Sequence, residues 1–286
     1  MKKIGFIDYY ISEWHANNYP AWIEDIIRKH SLDMQLAYAY AEKDVSPVDG
    51  VTTQQWCEKF GVIQCSTIEE LVEKSDYIFI LSPDDPQKHL QFAEKVLPAR
   101  KPTYIDKTFA PDVHTAEKIF ALAEKYGTPM YSSSALRFCD EISEFLNCKD
   151  ASVVLTNGPG KFDNYSIHQI EMIIAILNAV PQKCEVLING KSRVLHYYLS
   201  GGKQAILEQV EAHAVPFSFS VVGKELCEFR MAGSHMFENL LEQILLFFQD
   251  KKPRVCKEQT LSVIKAISMG EEVLQTYNGC SEEYQK

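Results

Sequence analysis

Tyr104-Ile105-Asp106-Lys107-Thr108-Phe109 is a short apolar strand that ends in an acid and a lysine. A lysine at a strand's carboxyl end stands on the rim where open α/β sheets bind their ligands, which makes Lys107 a candidate for chemistry. Upstream, Tyr77-Ile78-Phe79-Ile80-Leu81 is an unbroken apolar run that suits a strand buried on both faces. Between the two, Ser82-Pro83-Asp84-Asp85-Pro86 leads into helical spacing from His89 to Leu97, which Pro98 ends. Downstream, Pro111-Asp112 opens a helix through Val113, Ile119, Phe120 and Leu122 to Gly127, and Met130-Tyr131-Ser132 begins another strand. Strands that alternate with helices predict a doubly wound, parallel, Rossmann-like sheet.

The chain before Tyr77 continues the pattern. Lys3 to Ile7 reads as a strand, and Trp14 to His30 carries Tyr19, Trp22, Ile23, Ile26 and Ile27 at the spacing of an amphipathic helix. Met34 to Ala41 is the next strand, followed by a helical stretch at Thr53 to Phe60, the run Val62-Ile63-Gln64, and a capping signal at Ser66-Thr67 with Glu70. The ligand crevice is expected at strand ends near residues 8, 41, 82, 107 and 132. A dinucleotide fold places glycines where the first strand turns into its helix, because bare backbone lets the pyrophosphate approach the helix terminus. Here that turn is Asp8-Tyr9-Tyr10-Ile11-Ser12-Glu13. It has no glycine, and Asp8 and Glu13 bring negative charge to the place where two phosphates would lie.

The second half is of another kind. Ala151 to Asn157 reads as a strand, Gly158-Pro159-Gly160 as a turn, and Ser166 to Val180 as a helix with Ile167, Ile170, Ile173, Ile174 and Leu177 on its buried side. Extended runs follow at Cys184–Ile188, Arg193–Leu199, Ala205–Ala212, Phe217–Val222 and Leu226–Met231. Their turns at Asn189-Gly190, Gly201-Gly202 and Gly223-Lys224 predict antiparallel hairpins. Two helices, Phe237 to Phe248 and Leu261 to Tyr277, close the chain. The expectation is a Rossmann-like domain over 1–131 and, over 132–286, an α+β domain with a mostly antiparallel sheet. One face of such a sheet needs a cover, and self-association into a homo-oligomer would supply it.

At 286 residues, 46% hydrophobic and 24% charged, the chain has the composition of an ordinary globular protein of two domains. A net charge of -10 opposes nucleic acid as a partner. Met1-Lys2-Lys3-Ile4-Gly5-Phe6-Ile7-Asp8 meets an aspartate too early for a signal peptide, and no apolar run approaches the ~20 residues of a membrane span, so a cytoplasmic protein is expected. The eight cysteines, at 57, 65, 139, 148, 184, 227, 256 and 280, form no Cys-x-x-Cys pair. They read as reduced, buried apolar groups.

From Asp76 to Phe138 the sequence resembles the Gfo/Idh/MocA family of nicotinamide-dependent sugar and cyclitol oxidoreductases. That family's pattern is a strand ending in Thr-Pro, a helix beginning near a histidine, a strand ending in Glu-Lys-Pro, and a later strand ending near Arg-Phe. The corresponding elements are Ser82-Pro83, His89, Asp106-Lys107-Thr108 and Arg137-Phe138. Thr108 stands in place of the proline, Asp106 in place of the glutamate, and the glycine fingerprint is missing. In the second domain Asn164-Tyr165-Ser166-Ile167-His168 resembles the family's Asp-x-x-x-His motif, with Glu171 one turn later and all three polar residues on one helical face.

The resemblance implies a catalytic set of Lys107, His168 and Asn164, with Asp163 as a substitute acid. Hydride removal from a secondary alcohol needs a proton acceptor, the role of His168, and a cation favouring the developing alkoxide, the role of Lys107. It further implies NAD or NADP bound atypically near Asp8, Tyr9, Tyr10, Glu42, Ser82, Pro83, His89 and Asp106. Glu42, after the second strand, favours NAD because a carboxylate repels an extra phosphate. A sugar, cyclitol or related polyol would be met by Arg137, Asp163, Tyr165 and Glu171. No metal is expected, since Asn164, His168 and Glu171 have no second histidine at a matching spacing. The altered first turn favours two alternatives: a cofactor-free binding or regulatory subunit, and a lyase or isomerase using Lys107 and His168 for proton transfer alone.

Overall fold

The computed structural model describes residues 1–211 and 215–283. Ala212, the expected end of one strand, and His213 lie outside them, as does the side chain of Cys280. The chain forms two compact units, Met1–Ser133 with Leu240–Lys257, and Ser134–Asn239 with Glu258–Lys286.

In the first unit β1 (Lys2–Asp8), α1 (Trp14–His30), β2 (Met34–Ala41), α2 (Thr53–Phe60), β3 (Ile63–Gln64), α3 (Ile68–Lys74), β4 (Tyr77–Ile80), α4 (His89–Val96), β5 (Thr103–Ile105), α5 (Val113–Tyr126) and β6 (Met130–Tyr131) follow in turn. The strands form one parallel sheet in the order β3-β2-β1-β4-β5-β6. The order reverses between β1 and β4, so the ligand crevice of such a sheet opens at the carboxyl ends of these two strands, at Asp8 and Ser82. Short polar residues set the helix starts. Thr52 caps α2 in a reciprocal box with Gln55, Thr67 caps α3, and Asp112 caps α5. Phe6 and Phe79 meet edge to face at 5.1 Å in the core.

The second unit contains β7 (Ala151–Pro159), α6 (Phe162–Leu177), β8 (Pro181–Asn189), β9 (Ser192–Leu199), β10 (Gln204–Val210), β11 (Ser218–Gly223) and β12 (Cys227–Met231). Their sheet runs β12-β11-β7-β10-β9-β8, and every pairing is antiparallel except β7 with β10. The expected hairpins form at β8–β9, β9–β10 and β11–β12. Helix α6 starts at Phe162, four residues before the expected Ser166, because buried Phe162 extends the apolar stripe and Asp163 adds a negative charge to the first turn.

Two helices close the chain, α7 (Met236–Asp250) and α8 (Lys257–Glu283). Leu240–Lys257 groups with the first unit although it follows the second in sequence. The Phe248 ring stacks on Tyr77 at 4.9 Å, and Phe247 meets Tyr131 at 5.0 Å. Helix α8 packs in the second unit, where Tyr197 donates its hydroxyl to the Ala266 carbonyl at 3.0 Å. Gly270 permits that approach: a Cβ there would lie 2.4 Å from the Phe162 ring and 2.5 Å from the Tyr197 hydroxyl. Among the described residues no helix is long and apolar enough to cross a membrane.

Candidate active site

The first unit concentrates buried ionisable groups at the carboxyl ends of β1, β4 and β5. Asp8 ends β1, and its Oδ1 accepts from the Tyr9 amide at 2.6 Å and from the Ser82 hydroxyl at 2.9 Å. Ser82 holds a left-handed backbone conformation, with φ 67°. The Tyr9 amide also reaches Ser82 Oγ at 2.8 Å, so the tips of β1 and β4 are knitted together. Asp8 Oδ2 is buried and has no hydrogen-bond partner among the described residues. Burial, then the charge of Glu13, holds the Asp8 carboxyl well above its ordinary pKa.

Glu13 caps α1, and its two carboxylate oxygens divide the work. Oε2 accepts from the His15 amide at 2.6 Å and Oε1 from the Ala16 amide at 2.5 Å. Burial pushes the Glu13 carboxyl up to about 7, even though the His15 charge and these two amides pull it down. His15 Nδ1 lies 2.5 Å from Asp106 Oδ2 and 3.2 Å from the Tyr19 hydroxyl, and its ring stacks on Tyr19. Burial opposes a charge on His15, but Asp106 and Glu13 overcome it and raise the imidazole pKa.

Lys107 follows Asp106 at the end of β5 and is 7% exposed. Its amide donates to Asp106 Oδ1 at 2.8 Å, and Nζ donates to the Pro83 carbonyl at 3.2 Å with Asp84 Oδ1 at 3.6 Å. The bond from Lys107 to Thr108 is cis. The contacts with Pro83 and Asp84 hold the ammonium group at the rim of the sheet.

Other residues expected at the cofactor have different surroundings. His89 is fully buried, with Nε2 at 2.6 Å from the Leu81 carbonyl and Nδ1 at 3.0 Å from that of Phe109. It ties α4 to the chain after β4 and β5, and burial lowers its pKa. Both ring nitrogens thus lie against backbone carbonyls, which fixes the ring between α4 and the two strand ends. Glu42 pairs with Lys88 and accepts from Gln91 at 2.9 Å, while Lys88 covers the Tyr9 ring at 4.6 Å. Tyr10 meets Tyr9 edge to face, and burial with Asp84 and Asp85 pushes its hydroxyl up to about 12.

In the second unit α6 presents His168 and Glu171 to the 3-10 turn at Ala135–Phe138. Ser134 Oγ lies 2.6 Å from His168 Nδ1, and the Ser134 amide donates to Glu171 Oε1 at 3.2 Å. Arg137 Nε donates to Glu171 Oε2 at 2.7 Å, and its Nη1 to Gln259 at 2.8 Å. Arg137 and Glu171, expected at the substrate, form a buried ion pair with each other. That pair holds the Ser134 backbone, and Ser134 fixes the His168 ring. Tyr165 and Phe217 each meet the imidazole edge to face at 5.6 Å. Asn164 is half-buried one turn before His168. Asp163 is exposed in a surface groove with Arg193, Glu211 and Glu271.

Sequence reasoning gave Ser134 and Tyr19 no place in the site, while His15, with His89, stood apart from the histidines read as surface or structural. Ser134 stands three residues before Arg137, so its signal lay in the Arg-Phe pattern. Among the described residues no group of three or more His, Cys, Asp or Glu could hold a metal ion.

Residues 43–134 match the sequence profile of the Gfo/Idh/MocA oxidoreductase family, described by its NAD-binding Rossmann fold. The resemblance seen in Asp76–Phe138 is borne out by this match, which is to an NAD-binding oxidoreductase family over those residues. No curated protein sequence matches the chain. Solved structures similar over 96% of the chain include UDP-N-acetylglucosamine 3-dehydrogenase from Acidithiobacillus ferrooxidans, at 12% identity and a TM-score of 0.77 over 98% of that chain. A scyllo-inositol dehydrogenase from Lactobacillus casei, solved with NAD(H) and scyllo-inositol, is 16% identical with a TM-score of 0.76 over 97% of its length. Myo-inositol 2-dehydrogenase from Lactobacillus plantarum is 13% identical, with a TM-score of 0.74 over 97% of its length. These likenesses bear out the Rossmann-like fold with its second α+β domain.

The family match begins at Lys43 and so omits β1, α1 and the turn between them. That turn does not fit a dinucleotide's diphosphate. The amides of His15 and Ala16, which such a group would take, already serve Glu13, and Asp8 lies beside it.

Proposed function

We propose that the protein is a cytoplasmic, homo-oligomeric oxidoreductase that exchanges hydride between a nicotinamide cofactor and a hydroxyl of a sugar, cyclitol or related polyol. The observation that carries this reading is the match of residues 43–134, which contain Ser82, Pro83, Asp106 and Lys107, to an NAD-binding oxidoreductase family. The structural likeness to sugar and cyclitol dehydrogenases supports the substrate class. His168, fixed by Ser134, accepts the hydroxyl proton. Lys107, held by the Pro83 carbonyl and Asp84, favours the developing alkoxide. Asn164, Asp163 and Tyr165 are assigned to the substrate's hydroxyl groups. Arg137 and Glu171 support the site from behind His168.

The second unit's sheet supports self-association. Leu155 on β7, with Phe229 and Met231 on β12, points away from α6 and is exposed. A second copy is the cover this face calls for.

One observation favours the cofactor-free alternative, namely the Glu13 carboxylate on the amino end of α1. Titration with NADH and NADPH, read by nicotinamide fluorescence, separates the two. Binding followed by turnover of a polyol supports the dehydrogenase, and Lys107→Ala and His168→Ala should each abolish turnover. Absence of binding at millimolar cofactor discards it.

A further inference from the structure

We infer that Glu13 is a built-in substitute for a bound diphosphate, so that the protein takes no dinucleotide phosphate on the amino end of α1. This inference rests on reading the first unit as the family's dinucleotide fold. In that fold the order of strands reverses at β1 and β4, and a diphosphate placed there lies against the helix after β1. It is held by amides that the helix itself leaves unpaired. Here Glu13 meets two of those amides with its two carboxylate oxygens, at 2.6 and 2.5 Å. It is the arrangement a phosphate's two oxygens would make, supplied by the chain itself.

Occupancy is one obstacle and charge is another. Glu13 is only 7% exposed. Asp8 is fully buried beside it with Oδ2 unpartnered, and Asp106 adds a third carboxylate to the same cluster. An incoming diphosphate would meet these buried carboxyl groups in place of the bare glycine backbone that ordinarily lets it approach, and any charge they take on would repel it. His15 faces the same cluster, and its Nδ1 is engaged with Asp106. The nicotinamide cofactor of this protein must therefore place its diphosphate away from α1, and removing Glu13 should open a phosphate site that the natural chain lacks.

The test uses inorganic pyrophosphate and NADH on the full chain, wild type beside Glu13→Gly and Glu13→Gln. Glycine is tolerated at a helix N-cap, and glutamine keeps the shape while removing the charge, so one folded variant suffices. Pyrophosphate should leave the wild-type melting temperature unchanged and raise that of a variant by about 2–4 °C. NADH should bind the variant about tenfold more tightly than the wild type. Equal stabilisation of wild type and variants by pyrophosphate would overturn the inference, and so would no stabilisation of any variant. The pyrophosphate readout needs no turnover, so an inactive protein that still gained a phosphate site would count against the dehydrogenase reading and not against the role of Glu13.

Discussion

Replacing Glu13 by glutamine should flatten the dependence of stability on pH. Burial raises the Glu13 carboxyl from its ordinary 4.5 to about 7. Between those values the folded protein holds a proton that the unfolded chain has lost, so stability falls as pH rises. Each pH unit crossed in that window costs ~1.4 kcal/mol, and the loss from this one group comes to about 3 kcal/mol. Asp8 and His15, whose pKa values are also raised in the fold, act in the same direction and keep a residual slope in the variant. The groups facing Glu13 are Asp8 on β1, Asp106 after β5 and His15 on α1 itself. Urea unfolding at pH 5 and pH 8, followed by tryptophan fluorescence, suits the question because Trp14, Trp22 and Trp56 all lie in the first unit. The variant should gain about 2.5 kcal/mol at pH 8 relative to its difference from wild type at pH 5, because part of the loss already lies below pH 5. Parallel slopes in the two proteins would refute the reasoning.

The second unit offers a test of its supporting ion pair. Glu171→Ala leaves the Arg137 guanidinium buried without its partner and should cost about 3–5 kcal/mol, measured by urea unfolding with circular dichroism; a loss under about 1 kcal/mol would show that the pair is not buried in solution. On the outer sheet face, Phe229→Asp should shift the sedimentation mass to that of a monomer, since it places a charge in the apolar patch with Leu155 and Met231. A wild-type mass that is already monomeric and independent of concentration would remove the homo-oligomer.

Much of the fold could be read from local chemistry. The apolar runs at Tyr77–Leu81 and Tyr104–Ile105 are buried strands, and Thr67 and Asp112 cap the helices their positions suggested. The hairpins announced by Gly201-Gly202 and Gly223-Lys224 formed as well, because a turn's backbone demands are written in its own residues. The attachment of α7 to the first unit was not legible, since its apolar stripe shows only that it packs and not that Phe248 meets Tyr77. The same limit applies to the polar residues. Arg137 and Glu171 stand 34 positions apart and carry complementary charge, but only folding shows that they satisfy each other.

The first turn shows how far a missing motif can be interpreted. The absence of glycine between Asp8 and Glu13 argues only that a diphosphate would be poorly received. It does not say what becomes of the helix amides that glycine would have exposed, yet buried amides require partners whatever the function. Glu13 supplies them, and its own burial is in turn offset by those amides and by His15. His15 then engages Asp106, the residue before Lys107. Glu13, His15, Asp106 and Lys107 are therefore one connected network. A change at Glu13 should be felt at Asp106, whose carboxylate also holds the Lys107 amide, and through that amide at the point where Lys107 is fixed.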